Sequence, residues 1–96
     1  MRLAQVLATL SAHRPELSRF KIRSLSLFGS VARDAALPGS DVDVLVAFES
    51  PPAFATFMQL KFFLEDLLGT KVDLVTENGL RDAVRANVER EAIRVA

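Results

Sequence analysis

Asp41 and Asp43 stand two residues apart in the run Asp41-Val42-Asp43-Val44-Leu45-Val46. The valines favour an extended chain, in which aspartate is a depleted residue. Period-two alternation turns both carboxylates to one face, with Cα atoms ~6.5 Å apart, so that they can converge on one point. Two like unit charges separated by about 4 Å repel by about 4 kcal/mol at an effective dielectric near 20, so the pair needs a counter-ion, a proton or full solvation. A divalent cation meets the first need, and an all-oxygen donor pair suits Mg2+, which keeps waters and completes its shell with phosphates. A third carboxylate, Asp73, lies in Lys71-Val72-Asp73-Leu74-Val75. If the two strands are neighbours it joins the pair, and such a trio fits two metal ions ~3.5–4 Å apart clamping the attacking and leaving oxygens of a phosphoryl displacement. The same pattern also suits a solvated outer sheet face, where polar residues are common.

Gly29-Ser30 adds a second element of chemistry. The pair falls between a predicted strand and a short helix, where a residue without Cβ lets a phosphate approach and a helix N-terminus offers N–H groups to an anion. Alone, Gly-Ser after a strand is a common turn. Beside a carboxylate pair it supplies the other half of a site for a metal-bound nucleoside triphosphate.

The elements that must position these groups follow from periodicity. Leu3, Val6, Leu7 and Leu10 recur with helical spacing and predict an amphipathic helix ended at Pro15. His13, near that end, is expected in solvent or capping a carbonyl. Ile22 to Phe28 predicts a strand, Ser30 to Ala36 one or two helical turns, and Leu37, Pro38, Gly39 and Ser40 a turn. Asp41 to Phe48 is the second strand. Ser50, Pro51 and Pro52 then introduce a helix over about Ala53 to Leu68, with Gly69 at its left-handed cap. Lys71 to Thr76 is the third strand. Leu80, Val84 and Val88 mark a final helix to about Ala92, with Arg81, Arg85, Glu89 and Arg90 on its other side. The class is α+β (α/β): one domain over residues 1–96, a small mixed sheet of about three to four strands flanked by helices.

With these residues in place the sequence resembles a known family. Gly29-Ser30, ten residues, then Asp41-Val42-Asp43 reproduces the Gly-Ser-x10-Asp-x-Asp signature of the DNA polymerase β-like nucleotidyltransferases. The fuller strings Leu27-Phe28-Gly29-Ser30-Val31-Ala32-Arg33-Asp34 and Ser40-Asp41-Val42-Asp43-Val44-Leu45-Val46 look like its minimal (MNT) branch, and the likeness runs from Leu25 to the C-terminus. The resemblance implies a nucleotidyltransferase fold with two Mg2+ ions and ATP as substrate. It implies that Asp41, Asp43 and Asp73 hold metal and carry catalysis, Asp73 also activating the acceptor hydroxyl. It places the triphosphate on Ser30 and the Gly29 backbone, with Arg33 and Ser40 as further nucleotide contacts. An ion pair for Arg33, with Asp34 or another carboxylate, and a backbone hydrogen bond for Ser40 are the structural alternatives. The chain departs from the pattern at Asp34, where many members have glycine, and at Ala35 and Gly39. These departures bear on loop conformation and nucleotide preference.

The same resemblance implies an antitoxin that transfers AMP to a tyrosine of a partner HEPN-domain RNase toxin. The alternatives are an antitoxin acting by binding alone and a small-molecule transferase of the aminoglycoside-modifying kind; 96 residues leave little room for the latter's acceptor-holding helices. Composition fits the first reading. Twelve basic and twelve acidic residues sum to zero, which argues against a dedicated nucleic-acid binder. The balance is uneven, because residues 41–79 carry seven acidic and two basic groups. No apolar run of the ~18 residues needed to span a membrane occurs, and the absence of cysteine suits the cytoplasm. The chain has no tyrosine, so a tyrosine acceptor must lie on another protein. On the long helix Phe57, Leu60, Phe63, Leu64, Leu67 and Leu68 form a core face. Phe54, Met58 and Phe62 form a second ridge, to be covered by a terminal helix or used as a homo- or hetero-oligomer contact.

Overall fold

The first helix, α1 (Leu3–Ala12), forms where the apolar spacing places it and buries Val6 and Leu10. The computed structural model describes residues 2–35, 41–79 and 82–95. His13 donates through Nδ1 to the Thr9 carbonyl at 2.8 Å, in agreement with its expected role. Pro15 does more than end α1. It occupies the first turn of a second helix, α2 (Arg14–Ser18), where its missing N–H costs nothing, and Leu17 of that helix is buried.

The three strands placed from sequence and a short fourth make one sheet of the expected size, in the order β3-β2-β1-β4. β1 (Ile22–Phe28) is antiparallel to β2 (Val42–Phe48), and β2 is parallel to β3 (Val72–Thr76). A parallel neighbour requires a crossover, and α4 (Phe54–Leu68) supplies it. Gly69, at φ 68°, closes α4 in the left-handed conformation, its N–H donating to the Glu65 carbonyl at 2.8 Å. The fourth strand, β4 (Ile93–Arg94), pairs antiparallel with β1 through Leu27 and Ser26. Two residues are too short a run for alternation to reveal.

Register sorts the side chains. Leu25 and Leu27 lie opposite Val46 and Val44, and Val42 and Leu74 fall in line, so these residues share the face covered by helices. They join Val6, Leu10, Leu17, Leu60, Leu64 and Leu68 in the main core. Each fully buried leucine there contributes about 1.5–3 kcal/mol of transfer free energy. Phe20, at the corner before β1, meets Phe63 of α4 with ring centroids 5.5 Å apart. On the other face Leu45 and Ala47 are also buried, which explains why β2 is apolar at nearly every position.

Beyond β3, a 3-10 turn (Glu77–Gly79) leads to α5 (Asp82–Glu91), in which Val88 is buried. Arg85 donates to the Glu77 carbonyl at 3.0 Å, fixing one part of α5 to that turn. The other end of α5 reaches α3 (Gly29–Ala32), the single helical turn that follows β1. That turn is shorter than the Ser30 to Ala36 expected from sequence, because Asp34 turns into the left-handed region at φ 53°. The expected turn over Leu37, Pro38, Gly39 and Ser40 and the helix positions Leu80 and Arg81 lie outside the described residues, as do the side chains of Val84 and Glu89. On α4 the core face is as expected. Phe54 and Phe62 of the second ridge are 79% and 53% exposed, so neither terminal helix covers them.

Candidate active site

Three strands bring the chemistry-bearing residues into one row. Phe28, the last residue of β1, is the register partner of Asp43 in β2. Asp43 is in turn the partner of Asp73 in β3, one position into each strand. In-register neighbours project to the same side of a sheet, so Asp43 and Asp73 share a face. Asp41 sits just before β2, and the Val42 N–H beside it donates to the Lys71 carbonyl at 3.0 Å, tying together the starts of β2 and β3. Asp43 is half-buried; Asp41 and Asp73 are exposed.

Gly29 closes the row from the β1 side. Its φ of 70° belongs to the left-handed region, and a Cβ built there would drive into the Asp43 carboxylate, 3.0 Å from its Cγ and 3.3 Å from its Cβ. Both conditions admit glycine alone. Lacking that atom, the backbone of Gly29 lies directly against the Asp43 carboxylate. The first N–H groups of α3 have no intrahelical acceptor, which places donors beside acids.

The electrostatics of the row are those of an uncompensated anionic patch. The Asp43 carboxyl is pushed above its ordinary value by burial, then by the charges of Asp73 and Asp41, while the Arg33 guanidinium pulls the other way. A cation placed at the row would relieve all three raising effects. Among the described residues, no three acidic or imidazole groups already stand close enough to cage a cation alone. The closed trio of metal-holding carboxylates expected from sequence is therefore not formed by the protein alone; a Mg2+ ion at Asp43 and Asp73 would take the rest of its octahedron from water and phosphate oxygens. The donor set is all oxygen and carries no soft ligand, and the chain has no cysteine. These residues therefore fit the group.

Of the residues singled out from sequence, Gly29, Ser30, Asp41, Asp43 and Asp73 come together at one end of the sheet. Arg33 is near enough to act on Asp43 and pairs with Glu91, its Nη1 lying 3.0 Å from Glu91 Oε2. Of the two ion-pair alternatives, the pair is thus with another carboxylate; Asp34 is engaged elsewhere, its Oδ1 accepting the Leu3 N–H at 2.9 Å. Ser40 lies outside the described residues. Glu91 was not visible as part of this region in the sequence: it is 58 positions from Arg33 and sits in no motif.

A sheet with a glycine-opened turn and a carboxylate row at one end defines a class, and comparison with known proteins gives that class its name. The chain belongs to the nucleotidyltransferase domain family, whose model matches residues 10–95, and it is an enzyme of that kind. It is 41% identical over 96 residues to the protein adenylyltransferase MntA of Thermococcus cleftensis, spanning 99% of this chain and 97% of that relative. A solved minimal nucleotidyltransferase shares 42% identity and superposes with a TM-score of 0.85, covering 97% of this chain and 95% of its own. A chain from the complex of the tri-AMPylated Shewanella oneidensis HEPN toxin with its MNT antitoxin is 17% identical, with a TM-score of 0.62, covering 91% of this chain and 71% of its own. At that identity the likeness concerns the fold.

Proposed function

We propose that this chain is an antitoxin that transfers AMP from ATP, with Mg2+, to a tyrosine hydroxyl of a partner HEPN-domain protein and thereby neutralises it. The observation that carries the reading is the row Gly29, Asp43, Asp73, in which a backbone cradle and two carboxylates meet at one end of the sheet. A relative of 41% identity bearing the name protein adenylyltransferase supports the acceptor class. The HEPN toxin modified three times with AMP, bound to an antitoxin of this fold, supports the partner. Absence of tyrosine from this chain is consistent with an acceptor on another protein.

In this mechanism the Gly29 and Ser30 backbone and the Ser30 hydroxyl receive the triphosphate, with Arg33 and Ser40 at its edges. Asp41 and Asp43 would hold Mg2+, with Asp73 as a further donor for a second ion, and metal held there would supply charge neutralisation on the phosphates and on the attacking and leaving oxygens. Asp73, one strand over, accepts the proton of the acceptor hydroxyl. That oxygen attacks the α-phosphorus in line, the bond from the α-phosphorus to the bridging oxygen breaks, and pyrophosphate leaves.

The test is transfer of label from α-labelled ATP to the HEPN protein. The unsubstituted protein is expected to label it with Mg2+ and not with chelator, and Asp43→Ala to lose at least about 100-fold. Equal labelling by Asp43→Ala would overturn the mechanism. Full neutralisation of the toxin by that variant would instead favour action by binding alone.

A further inference from the structure

We infer that Glu91, at the end of α5, is a positioning residue for the nucleotide: it holds the Arg33 guanidinium beside the carboxylate row and off the metal-binding carboxylates. The inference rests on the proposed function and extends it to a residue outside the motif.

Arg33 needs such a competitor. It follows α3 directly and lies within electrostatic reach of Asp43. A guanidinium in the field of Asp41, Asp43 and Asp73 is drawn to pair with them, and bidentate pairing with a carboxylate is the geometry arginine favours. An arginine bound there would occupy the oxygens that a divalent cation requires. Glu91 offers another anion at 3.0 Å from Nη1. It uses one of the five donors of the fork, and the others have no acceptor among the described residues. The arginine is thus kept near the triphosphate cradle with donors to spare.

Both partners are carried by fixed backbone. The Arg33 N–H donates to the Gly29 carbonyl at 3.3 Å, and the next residue, Asp34, is tethered to the start of α1 through Leu3. Glu91 is carried by α5, which is anchored through buried Val88 and through Arg85 to the Glu77 carbonyl. The pair itself is open to water, with side-chain exposures of 54% and 46%. Exposed pairs add little to stability, so its consequence should appear in nucleotide affinity and not in folding.

The experiment measures binding of a non-hydrolysable ATP analogue with Mg2+ by calorimetry, and KM and kcat for ATP, in a double-mutant cycle of Glu91→Ala and Arg33→Ala. Glu91→Ala is expected to weaken binding and raise KM about fivefold, the effect of one lost oriented hydrogen bond. kcat and Tm are expected to change little, and Glu91→Gln, which keeps an acceptor, to recover part of the loss. In the Arg33→Ala background Glu91→Ala is expected to have no further effect, because the two act as a unit. Unchanged affinity in Glu91→Ala, or the same loss in both backgrounds, overturns the inference. Failure of the unsubstituted protein to bind Mg-ATP would overturn the functional reading itself, and this inference with it.

Discussion

Asp43 is the residue on which stability and chemistry oppose each other. Its carboxyl titrates above the ordinary 3.8 because of burial and two neighbouring acids. The folded, metal-free protein therefore binds that proton more readily than the unfolded chain, and stability falls as pH rises through this range. Asp43→Asn removes the penalty. The variant is expected to melt higher than the parent at pH 7 without metal, with the difference vanishing at pH values below 3.8, while transfer is lost. A variant less stable than the parent at pH 7 would count against this account. Gly29→Ala is expected to fail in the opposite way. It forces a Cβ into the left-handed region and onto Asp43, costing about 1–3 kcal/mol, and displaces the carboxylate, so activity and Tm fall together. Both residues were legible as a pair of motif halves, but not the contact between them. That contact depends on a φ of 70° and on Phe28 and Asp43 being register partners, which a linear pattern does not state.

At the scale of elements, the join between α4 and β3 sets where Asp73 falls. Glu65 of α4 accepts the Val72 N–H at 3.0 Å and the Lys61 ammonium at 3.1 Å. The Val72 hydrogen bond first, then Lys61, lowers its carboxyl below the ordinary 4.5. A lowered acid stabilises the fold above its unfolded value and loses that contribution as pH falls through the folded one. Glu65→Gln is accordingly expected to be less stable than the parent at pH 7, with the gap closing on acidification below 4.5, as read by Tm against pH. Constancy of the gap from pH 7 to pH 3 would assign the difference to packing. α1 and α4 and the three longer strands were readable, since a helical or alternating apolar pattern over enough residues leaves little choice. α2, β4 and the short form of α3 were not. Two to five residues are too few for periodicity, and the extent of α3 is set by Asp34 reaching the N–H of Leu3, 31 positions away.

For the whole molecule, the acidic middle of the chain is expected to make folding stability depend on ligand. If Mg2+ with ATP binds the native site alone, then at 100 times its Kd the ligand adds about 2.7 kcal/mol, a rise in Tm on the order of 10 °C for a domain of this size. Chelator should reverse the rise, and Asp43→Asn should not show it. A Tm indifferent to both would mean that the carboxylate row does not take the metal-nucleotide pair. No described helix is long and apolar enough to cross a membrane; Phe54 and Phe62 of α4 are exposed.

The sequence by itself determined the inventory: three aspartates, a Gly-Ser pair, the class of cation that oxygen donors accept and, through alternation, the strands that carry them. These are local properties, dictated by side-chain chemistry and by repeats of two or 3.6 residues. Only the tertiary structure decided that β3 runs parallel beside β2 with Asp73 level with Asp43, that Gly29 lies against that carboxylate, and that Arg33 answers to Glu91. Each of these is a contact between distant parts of the chain, set by which strands pair and in which register, and the common core that selects the pairing exists only once the helices have packed against the sheet.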